Sequence, residues 1–172
     1  VSLTARRPIV LRADPVSGPW ECLELSADVK ERIVTNHQTV SIIVPCYNEE
    51  ETLPLLAGVL ERVIATLEQS YDVEVLFVDD GSSDGTQRAL ASAAPRLRGR
   101  VLTHDVNRGI AEAFRTGFTA AKGDIICTID ADCTFDPLEL PSMIAQLEET
   151  GADIVAASPY HPQGGVEGVP AW

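Results

Sequence analysis

Asp130 and Asp132 stand two residues apart where the apolar run 125–129 ends, inside Gly123-Asp-Ile-Ile-Cys-Thr-Ile-Asp-Ala-Asp-Cys-Thr-Phe-Asp-Pro137. Extended backbone sends residues two apart to the same side, so both carboxylates leave the strand end together, with the small Ala131 between them. Two acids held close resist joint ionisation unless a cation offsets them. Mg²⁺ is such a cation, commonly held by one or two carboxylates with water and phosphate oxygens completing its shell. Taken alone, Asp-x-Asp also reads as an acidic turn, since Asp is common where strands end.

Three further groups carry chemistry. Asp79 and Asp80 follow an apolar run and precede Gly-Ser-Ser-Asp-Gly85. Carboxylates there can accept from a base N–H or from ribose hydroxyls, or can simply cap a turn. Asn107-Arg108-Gly109 puts a guanidinium at a helix start, where it can meet a phosphate or form a surface ion pair. Pro45-Cys-Tyr-Asn-Glu49 places Tyr47 where it can stack on a base or pack in the core. His37, His104 and His161 share no metal-ligand spacing and read as ordinary polar residues.

The elements that must position these groups alternate. Strands are predicted at 40–44 (closed by Pro45), 73–78, 100–103, 125–129 and 153–157. Leu53, Leu56, Val59, Leu60, Val63, Ile64 and Leu67 have helical spacing and predict a helix over 49–69, with Asn48 as N-cap and Glu49, Glu50 and Glu51 at its positive end. Asp84 caps a second helix to about 94, and a third runs over 109–122 with Gly123 past its end. A fourth starts at Asp136-Pro137 and stops at Gly151. Apolar, non-alternating strands interleaved with helices predict an α/β fold, a mostly parallel sheet with helices on both faces. In such sheets ligands sit beyond the carboxyl ends of the strands, where all four groups fall. Residues 1–39 carry no motif and read as an N-terminal extension, leaving 40–172 as the domain.

Composition excludes some classes. The 172 residues are 45% hydrophobic with a net charge of −13, a globular and acidic chain with no basic patch for nucleic acid. No apolar run reaches membrane-spanning length, and no signal peptide opens the chain. Cys22, Cys46, Cys127 and Cys133 fit no zinc spacing and read as reduced thiols, which suits a cytoplasmic location. Starting on Val1 and stopping at Pro-Ala-Trp172, the sequence reads as a piece of a longer protein.

Val40-Ser-Ile-Ile-Val-Pro-Cys-Tyr-Asn-Glu49, Val78-Asp-Asp-Gly-Ser-Ser-Asp-Gly-Thr86, Asn107-Arg-Gly109 and Gly123-Asp-Ile-Ile-Cys-Thr-Ile-Asp-Ala-Asp132 together resemble the family 2 inverting glycosyltransferases in motif order and spacing. Tyr160-His-Pro-Gln-Gly-Gly-Val-Glu-Gly168 resembles the dolichyl- or polyprenyl-phosphate mannosyltransferase branch. The resemblance implies a GT-A fold, Rossmann-like, binding a nucleotide-sugar donor such as GDP-mannose or a UDP-hexose. By position it implies that Pro45, Tyr47, Glu49, Val78 and Asp80 line the nucleoside pocket, with Asp130 and Ala131 also at the nucleotide sugar. Asp130 and Asp132 would serve Mg²⁺ or Mn²⁺, Asp132 being the catalytic residue. It implies transfer of a hexose with inversion to a polyprenyl phosphate at the cytoplasmic face of a membrane, or to a sugar hydroxyl. Thr134 and Pro159 depart from that branch, which often has Gln or Ser at the first position and Arg at the second. A non-catalytic nucleotide-sugar-binding module shares the donor motifs. A nucleotidyltransferase is disfavoured, because the acidic Cys46-Tyr-Asn-Glu-Glu50 stands where such enzymes place a Gly-rich basic loop.

Overall fold

The computed structural model describes residues 38–157. The extension before Gln38 and the motifs placed at 159–168 lie outside the described residues. Four parallel strands form one sheet in the order β3-β2-β1-β4: β1 (Thr39–Cys46), β2 (Asp72–Asp79), β3 (Arg100–Thr103) and β4 (Ile125–Thr128). Helices α1 (Leu53–Leu67), α2 (Thr86–Arg96), α3 (Ile110–Ala120) and α4 (Leu140–Thr150) connect and cover them.

β1 is central because its β-branched run is buried on both faces. Val40, Ile42, Val44 and Cys46 join Val75, Phe77 and the apolar sides of α1, α2 and α4 in the larger core. Ile43, Leu76, Val78 and Ala113 form the smaller core beneath α3. Helices therefore cover both faces, as the strand composition predicts.

β1 runs two residues past its expected end, to Cys46, and includes Pro45, paired with Val78. Residues two apart in a strand direct their backbone groups to the same side. The Ile43 carbonyl accepts from Ile129 on the β4 side, and the Cys46 carbonyl accepts from Asp80 on the β2 side. Pro45 thus turns its missing N–H toward β4, whose ladder has already stopped at Thr128, so no sheet hydrogen bond is lost.

Several expected boundaries move, each for a local reason. α1 begins at Leu53 with Thr52, not Asn48, at its N-cap. The N–H groups of Asn48, Glu49 and Glu50 donate to Ser82 Oγ, Thr86 Oγ1 and Asp84 Oδ2, which holds this stretch out of the helix. Gly123 is not a C-cap, since α3 ends at Ala120 and Ala121 is extended. Gly123 is small because it abuts β1: a Cβ there would lie 2.6 Å from Ser41 N. Its N–H donates to the buried Ser41 Oγ, which in turn donates to Glu74, and Glu74 also accepts from Lys122 N. The helix expected from Asp136 divides into a 3-10 turn, Pro137–Glu139, and α4. Pro141 has no N–H for the Pro137 carbonyl, which removes a hydrogen bond that one continuous α-helix would need there. Asp136 caps the turn through Leu138 N, and Gly151 ends α4 in the left-handed region, both as expected.

The fifth strand expected at 153–157 is not formed. These residues are irregular, and Ile154 is 81% exposed. Among the described residues β4 is a sheet edge, and this segment does not pair with its open side.

α3 lies close on the sheet because Gly117 faces Ile43. Helix propensity alone makes Gly117→Ala stabilising by roughly 1 kcal/mol. A Cβ at this position would overlap the Cγ2 methyl of Ile43, which is fully buried and stiff at χ1. Overpacking costs about 1–3 kcal/mol and outweighs the gain. Urea denaturation should therefore show a lower midpoint for Gly117→Ala, and a raised one would show that the helix can lift.

Candidate functional site

β2 and β3 lie to one side of β1 and β4 to the other, so the chain reverses direction across the sheet between β1 and β4. Such a switch point opens a crevice at the carboxyl ends of the strands. A cleft of about 280 Å³ lies there. It is lined by Pro45 and Cys46 at the end of β1, by Tyr47 and Glu49 just after it, and after β4 by Asp130, Ala131 and Asp132. Asp80 closes it from β2, with Asn107, Gly109, Ile110 and Ala113 from the loop and helix after β3. The structure thus brings together Pro45, Tyr47, Glu49, Asp80, Asp130, Ala131 and Asp132. It does not bring Val78 to the cleft: Val78 is fully buried in the core beneath α3, one residue pair before Asp80 on the same face of β2.

Two loops are clasped to form one wall. Asn48 adopts φ +57°, and its Oδ1 accepts from Ser83 N, while its own N–H donates to Ser82 Oγ. Glu50 accepts from Gly85 N at 2.6 Å, and Asp84 accepts from both Glu50 N and Thr86 N. This reciprocal set fixes the backbone on either side of Tyr47 and Glu49. The Glu49 carboxylate accepts from Thr52 Oγ1 at 2.5 Å, and the Tyr47 ring remains half exposed at the cleft.

Asp79 and Asp80 are adjacent in sequence and differ in role. Asp79 is fully buried on the α1 side; one oxygen accepts from Ser82 N and the other has no partner among the described residues. Asp80 accepts from Arg108 N (2.9 Å), Gly109 N (2.8 Å) and the His104 ring (2.6 Å). Burial alone would raise the Asp80 pKa, but the Arg108 N–H, the imidazole and the Gly109 N–H outweigh it and hold the carboxyl below the usual range. Arg108 is exposed, and it is its main-chain N–H that makes the bond to Asp80. His104, read from sequence as an ordinary polar residue, is buried between Asp80 and Thr116. The signal that could have singled it out is its place directly after β3, the same strand-end position that marked the other groups.

Three thiols stand near this end. Burial, then the Glu49 and Asp79 carboxylates, push Cys46 far up, and burial pushes Cys127 up to about 11. Burial followed by Asp132, Asp136 and Glu49 also raises Cys133. All three are therefore protonated near neutral pH and supply no nucleophile.

Asp130 and Asp132 are exposed at the cleft, and one Asp132 oxygen accepts from Thr134 N. Among the described residues no three His, Cys, Asp or Glu side chains converge as a metal cage. Two solvent-facing carboxylates suit a hard cation that keeps water and takes phosphate oxygens as further ligands, the Mg²⁺ or Mn²⁺ pattern.

The model of the glycosyl transferase family 2 matches residues 41–169. The chain belongs to that family. An undecaprenyl-phosphate 4-deoxy-4-formamido-L-arabinose transferase from Proteus mirabilis (strain HI4320) is 43% identical over 121 residues, covering 67% of this chain and 35% of that protein. One of the same description from Yersinia enterocolitica is 37% identical and covers 72% of this chain and 38% of that protein. This family 2 chain thus spans little more than a third of these relatives' length. Among solved structures, S. aureus TarS 1-349 in complex with UDP-GlcNAc is 26% identical with a TM-score of 0.55, over 67% of this chain and 32% of that one. The mannosyltransferase PcManGT from Pyrobaculum calidifontis, in complex with GDP-Man and Mn2+, is 32% identical with a TM-score of 0.52, over 66% of this chain and 33% of that one. Fold and family agree with the α/β, GT-A reading.

The Asp80 bonds have a pH signature. Its folded pKa lies below its unfolded value, so its stabilisation is fully present above about pH 4, the unfolded aspartate range, and is lost as pH falls through the folded pKa. The stability difference between wild type and Asp80→Asn should be largest above that point and shrink below it. Urea titrations from pH 7 to 3 check this, and a pH-independent difference would mean that the charge contributes nothing.

Proposed function

We propose that this chain is the donor-binding part of an enzyme that transfers a sugar, with inversion, from a nucleotide-diphosphate donor to a polyprenyl phosphate. The observation that carries the reading is the convergence of Tyr47, Glu49, Asp130 and Asp132 on one cleft at the β1/β4 switch point. The relatives' descriptions support a polyprenyl-phosphate acceptor, and the nucleotide-sugar complexes of similar folds support the donor class.

Tyr47 offers a half-exposed ring for stacking on a base, over a floor set by Pro45. Asp130 and Asp132 would hold a divalent cation, which when bound supplies Lewis-acid stabilisation to the departing diphosphate. The chain's own contribution is to present these two carboxylates together at the end of β4 and to position the donor beside them.

The carboxylates at the cleft among the described residues bear on the acceptor. A sugar hydroxyl needs a protein base, whereas a phosphate monoester, with its second pKa of about 6, is already anionic near neutral pH. Asp80 is a poor base, its carboxylate bonded to three protein donors and its pKa held low, and the Glu49 carboxylate accepts from Thr52. A phosphate acceptor fits this arrangement better than a hydroxyl.

For the donor, the GDP-Man complex of one similar fold supports a mannosyl or other hexosyl group, whereas the descriptions of the relatives favour an arabinose derivative. The site of reaction is the membrane surface on the cytoplasmic side, which suits the free thiols Cys46, Cys127 and Cys133. No helix of the described residues is long and apolar enough to cross a membrane.

Calorimetry with UDP and GDP, with and without Mn²⁺, tests donor binding. Wild type should bind at least one nucleotide more tightly with Mn²⁺, and Asp132→Ala should lose most of that increment. Equal affinity with and without the metal removes the role given to Asp130 and Asp132. Incubating the full-length protein with radiolabelled GDP-mannose, UDP-glucose or a UDP-pentose and a polyprenyl phosphate tests the acceptor. Label should enter the organic phase. Label confined to a water-soluble saccharide would instead identify a hydroxyl acceptor.

A further inference from the structure

His104 is 6% exposed at the carboxyl end of β3, and its backbone N–H donates to the Asp79 carbonyl. Its ring links two elements: Nδ1 lies 2.6 Å from Asp80 Oδ1 and Nε2 lies 2.9 Å from Thr116 Oγ1 on α3. An ionised carboxylate only accepts, so Nδ1 carries a proton and donates; in the neutral ring Nε2 then accepts from the Thr116 hydroxyl. The Asp80 oxygen that takes the ring also takes Arg108 N, and the other takes Gly109 N. The two sides of this loop, Asn107 and Gly109, form part of the cleft wall.

We infer that His104 is a positioning residue for the nucleotide site: through Asp80 it fixes the Asn107–Gly109 wall of the cleft. The inference rests on the nucleotide-sugar reading of that cleft. A carboxylate has about four acceptor positions, and three of those on Asp80 are occupied by protein donors. The imidazole sets the plane of the carboxylate, and that plane aims the oxygens at two consecutive N–H groups. Without the ring, Asp80 is a buried charge short of one donor, free to rotate away from Arg108 or to draw in water.

The competing role is plain packing between β3 and α3, and two substitutions separate the roles. His104→Asn puts an amide donor where Nδ1 sits, which keeps the Asp80 arm and drops the Thr116 arm. His104→Gln reaches toward Nε2, which keeps the Thr116 arm and drops the Asp80 arm. Both remove the ring from the same buried site. Amide hydrogen exchange in the whole chain is read at Arg108 and Gly109, with Ile42 and Val44 of β1 as internal reference. With His104→Gln the Arg108 and Gly109 amides should exchange faster by about tenfold, the usual consequence of losing a charge-assisted hydrogen bond, while the β1 amides stay slow. His104→Asn should hold all four near wild type.

Calorimetry with UDP and GDP in the presence of Mn²⁺ should follow the same order, weakened about tenfold by Gln and little changed by Asn. If both variants speed exchange equally, or speed it throughout β1, the ring acts by packing and the inference is overturned. If exchange separates the variants but their nucleotide affinities do not differ, the loop is not part of the nucleotide site and the inference is overturned as well. Wild type that binds neither nucleotide defeats the functional reading, and with it the nucleotide part of this inference, while the exchange contrast still decides whether His104 acts through Asp80.

Discussion

A buried carboxylate must find donors, and Asp80 finds three on two segments well beyond it in sequence. Two are consecutive main-chain N–H groups at the start of α3, and the third is the ring of His104 at the end of β3. The cost of an unpaired buried charge is what makes this arrangement decisive. It fixes where α3 begins, and with it the side of the cleft opposite Tyr47. Gly81 extends the constraint, because at φ +68° a side chain there would overlap the backbone of Val106, next to the same loop. The β2 and β3 strand ends are thus joined into one surface by hydrogen bonds and close backbone contact, not by apolar packing.

The two ends of the sheet have different tasks. At the amino end, the Ser41 hydroxyl, Glu74, and the N–H groups of Lys122 and Gly123 pin the α3–β4 connection onto the central strand. Burial would raise the Glu74 pKa, yet Ser41, Lys122 N–H and Arg100 together hold it below the usual range. At the carboxyl end, similar polar linkages run between loops and leave selected side chains open to solvent. Asp80, Asp84 and Glu50 spend their oxygens on the protein, whereas Asp130 and Asp132 face the cleft. In a chain of net charge −13, this separation leaves two carboxylates open to solvent while others hold the frame.

An acidic cleft attracts a diphosphate poorly by itself, and the exposed Arg108 is the positive residue nearest in sequence to the start of α3. A divalent cation on Asp130 and Asp132 would reverse the local sign, a stronger effect than one solvated guanidinium.

The sequence by itself determined the strand-helix alternation, the parallel α/β class, the strand ends that carry Asp80, Asp130 and Asp132, and the family. Apolar runs and motif spacing are local, and burial on both faces leaves a composition that reads without coordinates. Tertiary structure decided what each acid does. Asp79 and Asp80 are neighbours in sequence, but alternation sends one beneath α1 and the other toward α3, and only the packed loop shows which donors Asp80 meets. Val78, assigned to the pocket by motif position, is sealed under α3 by that same alternation. The start of α1 could not be read from helical spacing, because the N–H groups of residues 48–50 are claimed by a loop more than thirty residues away. The missing strand at 153–157 was not legible for a related reason: whether a segment pairs with the open edge of β4 depends on long-range placement, which a single sequence does not state.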